Sequence, residues 1–490
     1  MRPGKFARDV TSMALGQYLA RAAVLARGVV SAVALGPQGF GSWNALNLVL
    51  DYGQYASLGA LQGLDLRLPG AVARGDAAAA RSLMAGAWGV VVAGALSAAL
   101  VLAALLARGV PALTTGLGWQ APALMLAAAW LQLAIQYHAS VLKARGRFQV
   151  VSGALAAQAL VGGGLGIALV FRLGIWGLLA GWLAGGVLAL AWLRLATRDT
   201  PWVPGAWREG LRLALTGLPV FGFFAASLVL RSVDRLAFVR YGDREGLGHY
   251  SLGLMAAGLV LYVPEAVAAV LYPRIAAAAE GARDDRRTRD EVARAHRAIS
   301  VLLPLPVALA IVWAPPLVAQ QLPAYRDGVV ALQVLAFGAL ALSTATVPAY
   351  WLLGSGRARE LLAAGIAGAG LNALLVFGVA ASDPRPTSIA IAATAGYTMF
   401  AAGMVTLAAR ELFARGSARA AFAWASFVPV AWLAAATLAA MRVGPAESVG
   451  GALLRTVGLV VAYVPVLIWF GRGLGLRSLA GAWRGMKGRT

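Results

Sequence analysis

Apolar runs of about 20 residues follow one another along almost the whole chain, the length an α-helix needs to cross roughly 30 Å of hydrocarbon. In lipid a spanning segment must satisfy its own backbone groups, so a series of such runs dictates a bundle of helices. Only 13% of the 490 residues are charged and 60% are hydrophobic, against roughly 25% charged in soluble domains. The runs centre near residues 23, 53, 95, 130, 160, 184, 225, 261, 310, 340, 370, 398, 431 and 461. The expected fold class is an all-α polytopic membrane protein of about 14 transmembrane helices. No cleavable leader is expected, because Arg21 and Arg27 interrupt the first run.

The net charge of +22 is unevenly placed. Alternate loops carry 30 of the 42 Lys and Arg, the opposite loops carry seven, and five fall inside apolar runs. That asymmetry is a positive-inside signal. It puts both termini in the cytoplasm, requires an even number of spans, and suits a multi-pass protein of the bacterial inner membrane. It also accounts for the charge through the phospholipid bilayer, with no nucleic acid partner. The longest aqueous segment, residues 276–297, mixes Arg, Asp and Glu and reads as a solvated connector or cytoplasmic helix. No loop is long enough for a soluble catalytic domain. With no cysteine and only His138, His249 and His296, no metal centre and no cofactor are expected. Arg455 reads as a snorkelling side chain.

Two motifs recur. Gly39-Phe40-Gly41-Ser42-Trp43 after the first run matches Gly246-Leu247-Gly248-His249-Tyr250 after the seventh, 207 residues on. Gly146-Arg147 after the fourth run matches Gly356-Arg357 after the tenth, 210 residues on. Both point to a duplicated six-helix unit. Six is even, so the lobes, 1–205 and 206–415, would be related by a pseudo-two-fold along the membrane normal. Residues 416–490 would add two transmembrane helices and a basic tail.

Polar residues inside apolar runs are costly and mark cavities or partners. The first run holds Gln17, Arg21 and Arg27. The second holds Asn44, Asn47, Asp51 and Gln54, spaced to line one helical face, with Gln62 and Asp65 continuing it. Gln132 and Gln136 lie on the fourth, near Lys143. Arg231, Asp234 and Arg235 lie on the seventh, and Glu265 follows Pro264 on the eighth. Asp234 is the repeat mate of Arg27, so a pair across the halves stands beside local neutralisation by Arg231 or Arg235. Four deep arginines (Arg21, Arg27, Arg231, Arg235) suit a phosphate, which guanidinium binds in bidentate fashion. Asp51, Asp234 and Glu265 are the candidates for ion coupling or gating.

The motifs Leu35-Gly-Pro-Gln-Gly-Phe-Gly-Ser-Trp43, Leu142-Lys-Ala-Arg-Gly-Arg147, Ser232-Val-Asp-Arg-Leu236, Gly246-Leu-Gly-His-Tyr-Ser251 and Leu271-Tyr-Pro-Arg274 resemble a known family. It is the polysaccharide (O-antigen type) flippases of the multidrug/oligosaccharidyl-lipid/polysaccharide exporter superfamily. The resemblance spans about residues 10–410. It implies alternating access by two lobes. The cargo would be an undecaprenyl-diphosphate-linked oligosaccharide moved from the cytoplasmic to the periplasmic leaflet for surface polysaccharide biosynthesis. A polymerase and a chain-length regulator would be partners, and Na⁺, H⁺ or membrane potential the coupling source. In the related lipid II flippases a pair of first-helix arginines contributes to a cationic cavity, and Arg21 and Arg27 look like that pair. Where those proteins carry a second-helix arginine, this chain has Asp51 and Gln54. On this reading Arg21 and Arg27, helped by Arg231 or Arg235, hold the diphosphate. Gln17, Asn44, Asn47, Asp51, Gln54, Gln132 and Gln136 line the glycan path. The alternatives are a multidrug or cation antiporter of the same superfamily, and a membrane glycan polymerase or ligase.

Overall fold

The computed structural model describes residues 3–109, 116–281 and 284–471, with side chains described from residue 26 onward. Among the described residues it is all helix and turn. Twelve helices are long and apolar enough to cross a membrane, and they contain every expected centre from 95 to 461. The chain is a multi-pass membrane protein. The helices are α1 (Pro3–Gly53), α2 (Ala60–Ala73), α3 (Ala77–Ala107), α4 (Gln120–Ala144), α5 (Phe148–Leu173), α6 (Ile175–Ala196), α7 (Trp207–Tyr241) and α8 (Arg244–Ala279). They continue with α9 (Asp285–Leu302), α10 (Pro304–Gln321), α11 (Val329–Gly354), α12 (Ala358–Ala380), α13 (Pro386–Leu412), α14 (Gly416–Ala440) and α15 (Val449–Gly471).

The two remaining centres, 23 and 53, lie on α1. Gly36 kinks that helix with φ 63° and ψ 177°, and Pro37 follows. Pro37 cannot donate into the preceding turn, so the chain bends there and starts a second helical segment, and α1 is not among the twelve helices counted above. The second run departs from the expected continuous helix. It ends at Gly53, tightens into a 3₁₀ turn at Gln54–Ser57, and breaks at Leu58 (φ 47°) and Gly59 (φ 89°) before α2 begins. Gln62 and Asp65 are therefore on a separate helix from Asn44, Asn47 and Asp51, and the stripe ends at Gln54. Asp65 pairs instead with Lys143 at 3.1 Å.

The chain forms two compact units, Met1–Gly248 and His249–Thr490. In the first, α5 packs on α6, α1 on α5 and α4, and α7 on α2 and α3. Glycines set the α7 contacts: Gly217 meets Gly59, and Gly210 meets Gly86, backbone to backbone. Such close approach lets helices associate in lipid, where burial of apolar surface gives no drive. In the second unit α11 and α12 pack on α13, while α14 and α15 pack on α9 and α10. The segment expected as a connector or helix is α9. Asp284 caps it, accepting from the backbone N–H of Arg286 and Arg287, and Thr288, Val292, His296 and Ile299 form its buried stripe. The spacing of 4, 4 and 3 is the helical period.

Both repeat signals have matching geometry. After α4, Gly146 takes φ 71° and Arg147 N–H bonds Leu142 O at 2.9 Å. After α11, Gly356 takes φ 81° and Arg357 N–H bonds Leu352 O at 2.9 Å. These are the same glycine-dependent helix ends. The first pair of turns touches directly. A methyl group at Gly41 would overlap the carbonyl of Arg244, and one at Gly248 would overlap the carbonyl of Pro37. Gly248 is the 207-residue mate of Gly41, and Arg244 the mate of Pro37, so the contact is reciprocal.

Replacing Gly41 by Ala is expected to lower stability in detergent by about 1–3 kcal/mol, since backbone must move. Gly164→Ala, with no heavy atom within 4 Å of the added carbon, should leave the thermal midpoint unchanged. Equal midpoints for both variants would refute the contact.

Candidate functional site

The polar residues of the first unit gather where the second half of α1 faces α7. Asp51 Oδ2 meets Arg235 Nη2 at 3.0 Å, with side chains 31% and 13% exposed. Tyr52 Oη shares a hydrogen bond with Ser232 Oγ at 2.8 Å. Tyr55 Oη donates to the carbonyl of Phe224 at 3.2 Å. As the residue number rises through the end of α1 and the 3₁₀ turn it falls on α7, so three polar ties hold this stretch antiparallel to α7. Asp234 is fully buried and its Oδ1 accepts from the Arg235 backbone N–H at 2.7 Å. Arg231 is exposed and lies within electrostatic reach of Tyr55, as does Asp51.

Arg27 sits apart from this ladder. Its guanidinium carbon lies 5.3 Å from the ring centroid of Trp182 on α6, and its chain passes Gly166 on α5. Among the described residues it makes no ion pair, so the pairing of Arg27 with Asp234 is not formed. The indole N–H of Trp182 is buried and also lacks an acceptor. Arg27 therefore lies beside a second donor, and among the described residues no negative group pairs with either.

The amides form short bridges. Gln158 donates to Gln132 at 3.0 Å, joining α5 to α4, and Gln136 reaches Gln54 at 3.5 Å. Asn44 turns back to the carbonyl of Phe40 at 2.9 Å, and Asn47 is half-buried. Gln17 and Arg21 lie outside the described side chains. In the second unit Glu265 is half-buried, next to a buried Pro264. Among the described residues no three His, Asp or Glu side chains converge as metal ligands would.

Several side chains were not singled out by sequence reasoning. Trp182, Tyr52, Tyr55 and Gln158 are among them, and Ser232 entered only as part of the Ser232–Leu236 motif. Tyr52 and Tyr55 carry a faint signal, since they flank Asp51 and Gln54 at helical spacing. The histidines lie inside the protein: His138 is fully buried and bonded to Thr197 Oγ1 at 2.8 Å, and His249 packs on Tyr325. Arg455 does not snorkel. It is 2% exposed, and its guanidinium donates to the carbonyls of Val443 (2.9 Å), Gly444 (2.8 Å) and Ala446 (3.3 Å), closing the α14–α15 loop.

Residues 88–322 match the model of a family described as polysaccharide biosynthesis protein. No curated protein matches the chain. Among solved structures it is similar to the lipid II flippase MurJ in an inward closed conformation. The TM-score is 0.70 at 13% identity, covering 94% of this chain and 99% of that one. It is also similar to an inward-facing multidrug resistance MATE family transporter of the MOP superfamily, with TM-score 0.59, 17% identity and coverage of 80% and 94%. For the Vibrio cholerae MATE transporter VcmN the TM-score is 0.58, identity 16% and coverage 85% and 99%. The family model agrees with the resemblance carried by the motifs over residues 88–322, and the fold is like that of these flippase and transporter structures.

Removing either member of the Asp51–Arg235 pair strands the other charge in a low-dielectric setting. Asp51→Asn and Arg235→Gln should each destabilise the protein in a detergent unfolding titration. The double variant should lose less than the two losses added, by about 1 kcal/mol or more. Strict additivity would show that the pair is not formed.

Proposed function

We propose that this chain, with the fold of the multidrug/oligosaccharidyl-lipid/polysaccharide superfamily, is a flippase for an undecaprenyl-diphosphate-linked oligosaccharide. It works by alternating access in the bacterial inner membrane, with both termini in the cytoplasm, and it carries its cargo to the periplasmic leaflet for surface polysaccharide biosynthesis. It is a transporter, not an enzyme, and a polymerase and chain-length regulator act on what it delivers.

One observation carries this reading. Arg27 lies in an apolar span with no counter-ion among the described residues, held on an aromatic face and beside a donor that also lacks an acceptor. A cation–π contact is worth about 0.5–2 kcal/mol, less than the roughly 2.5–3.5 kcal/mol an arginine costs at mid-membrane. The deficit is one negative charge, and a diphosphate supplies it with oxygens arranged for a guanidinium fork. Arg21, one and a half turns earlier on the same helix, is the second member of the pair. Arg231 assists, and Arg235 contributes by holding Asp51. The amides Gln54, Gln132 and Gln136, with Asn47, offer hydrogen bonds to sugar hydroxyls. Asp51, Asp234 and Glu265 are the acids assigned to coupling in this reading.

The test is restoration of surface glycan in a strain lacking this gene, at matched membrane levels. Arg27→Ala and Arg21→Ala should each abolish it, and Arg27→Lys should restore it in part, keeping the charge but losing the bidentate fork. Full export by both alanine variants would rule out the anion site. Unchanged glycan together with efflux of organic cations by the wild type would replace it with the antiporter reading, to which the MATE-like fold lends support.

A further inference from the structure

The arginine-rich end of the first unit holds a second cationic place. A cavity of about 530 Å³ opens between α2, α3 and the first turn of α7. Its wall includes Leu66, Arg67, Arg74, Ser82, Leu83 and Glu209. Arg67 Nη1 pairs with Glu209 Oε1 at 3.1 Å, and the other oxygen of Glu209 takes Arg212 Nη1 at 3.4 Å. Arg74 makes no side-chain ion pair among the described residues. Two guanidiniums thus share one carboxylate and Arg74 adds a third positive charge beside them, leaving an excess of positive charge around an open cleft.

The depth of the cleft is marked by its neighbours. Trp207, 55% exposed, starts α7 two residues before Glu209. Exposed tryptophans of this kind sit at headgroup level. One and two turns further on, Leu211 and Leu215 are each 60% exposed, and Leu66 on α2 is 57% exposed. Leucines so bare belong in acyl chains. The cleft therefore combines a cationic wall at headgroup depth with an apolar surface leading into hydrocarbon.

We propose that this cleft binds the phosphate of an anionic membrane lipid. Arg67 and Arg74 hold its oxygens, and the acyl chains lie along the leucines. Glu209 occupies Arg67 when the lipid is absent and yields it to the phosphate. The site is separate from Arg27 and does not depend on the cargo assigned above.

Native mass spectrometry of the purified chain with phosphatidylglycerol, and in parallel with zwitterionic phosphatidylcholine, tests this. Phosphatidylglycerol should be retained in preference. Each basic residue near a membrane surface is worth about 1 kcal/mol. Arg67→Ala or Arg74→Ala should then weaken retention about 5-fold, and the double variant about 30-fold. Glu209→Gln frees Arg67 and should tighten binding, which a merely unfolded variant would not do. Arg359→Ala, on another exposed surface, should leave retention unchanged. Wild-type retention by the double variant, or equal retention of the two lipids, would overturn the site. Displacement of the lipid by inorganic phosphate would reassign it to a soluble anion and overturn the lipid assignment.

Discussion

The ion pair between Asp51 and Arg235 is the contact on which the polar interior of the first unit depends. Neither charge is tolerable alone between apolar helices, and each is neutralised by the other at 3.0 Å. The pair sits two residues before the end of α1, just ahead of the 3₁₀ turn and the left-handed break at Leu58 and Gly59. A helix end in a membrane leaves carbonyls without partners, so it needs neighbours that fix it in place. The ties of Tyr52 to Ser232 and of Tyr55 to the Phe224 carbonyl continue from the ion pair and hold the chain against α7 up to the break. The glycine contacts of α2 with α7 resume on the far side. The break is thus flanked on both sides by attachments to the same helix.

The turns, and not the spans, carry the strongest likeness between the two halves of the sequence. A lipid-facing span accepts almost any apolar residue, and its sequence drifts. A turn that needs φ near 70–80°, as Gly146 and Gly356 do, accepts little else. Gly41 and Gly248 are held by a different constraint: each lies against the backbone of the other's turn, and no side chain fits.

This difference also sets what could be read in the sequence. The spans from 95 to 461 were legible because an apolar run of helical length needs no tertiary knowledge to interpret. The break in the second span was not, since Gln-Tyr-Ala-Ser-Leu contains no proline and Leu58 is an improbable left-handed residue. The stripe of Asn44, Asn47, Asp51 and Gln54 was visible by its period. The partner of Asp51 was not, because Arg235 stands 184 residues away and pairs with it only once α7 packs against α1. Arg455 was misjudged as snorkelling because its partners are backbone carbonyls, which no sequence letter records. Trp182 was overlooked for the same kind of reason: an indole in an apolar run looks like lipid-facing bulk until a cation is found on its face.

Three arginines within apolar helices show three ways of answering a buried charge. Arg235 has a carboxylate, and the pair is electrically closed. Arg455 has three carbonyl oxygens, which accept its protons and lock a loop, and no ligand could displace three backbone groups without unfolding it. Among the described residues, Arg27 has the face of Trp182. An aromatic face attracts the cation but accepts none of its N–H donors in the plane, so the fork stays available. The choice of partner therefore sorts these arginines by whether their donors are consumed. A carboxylate or a carbonyl cage consumes the donors, while a ring orients the side chain and leaves its hydrogen-bonding edge open.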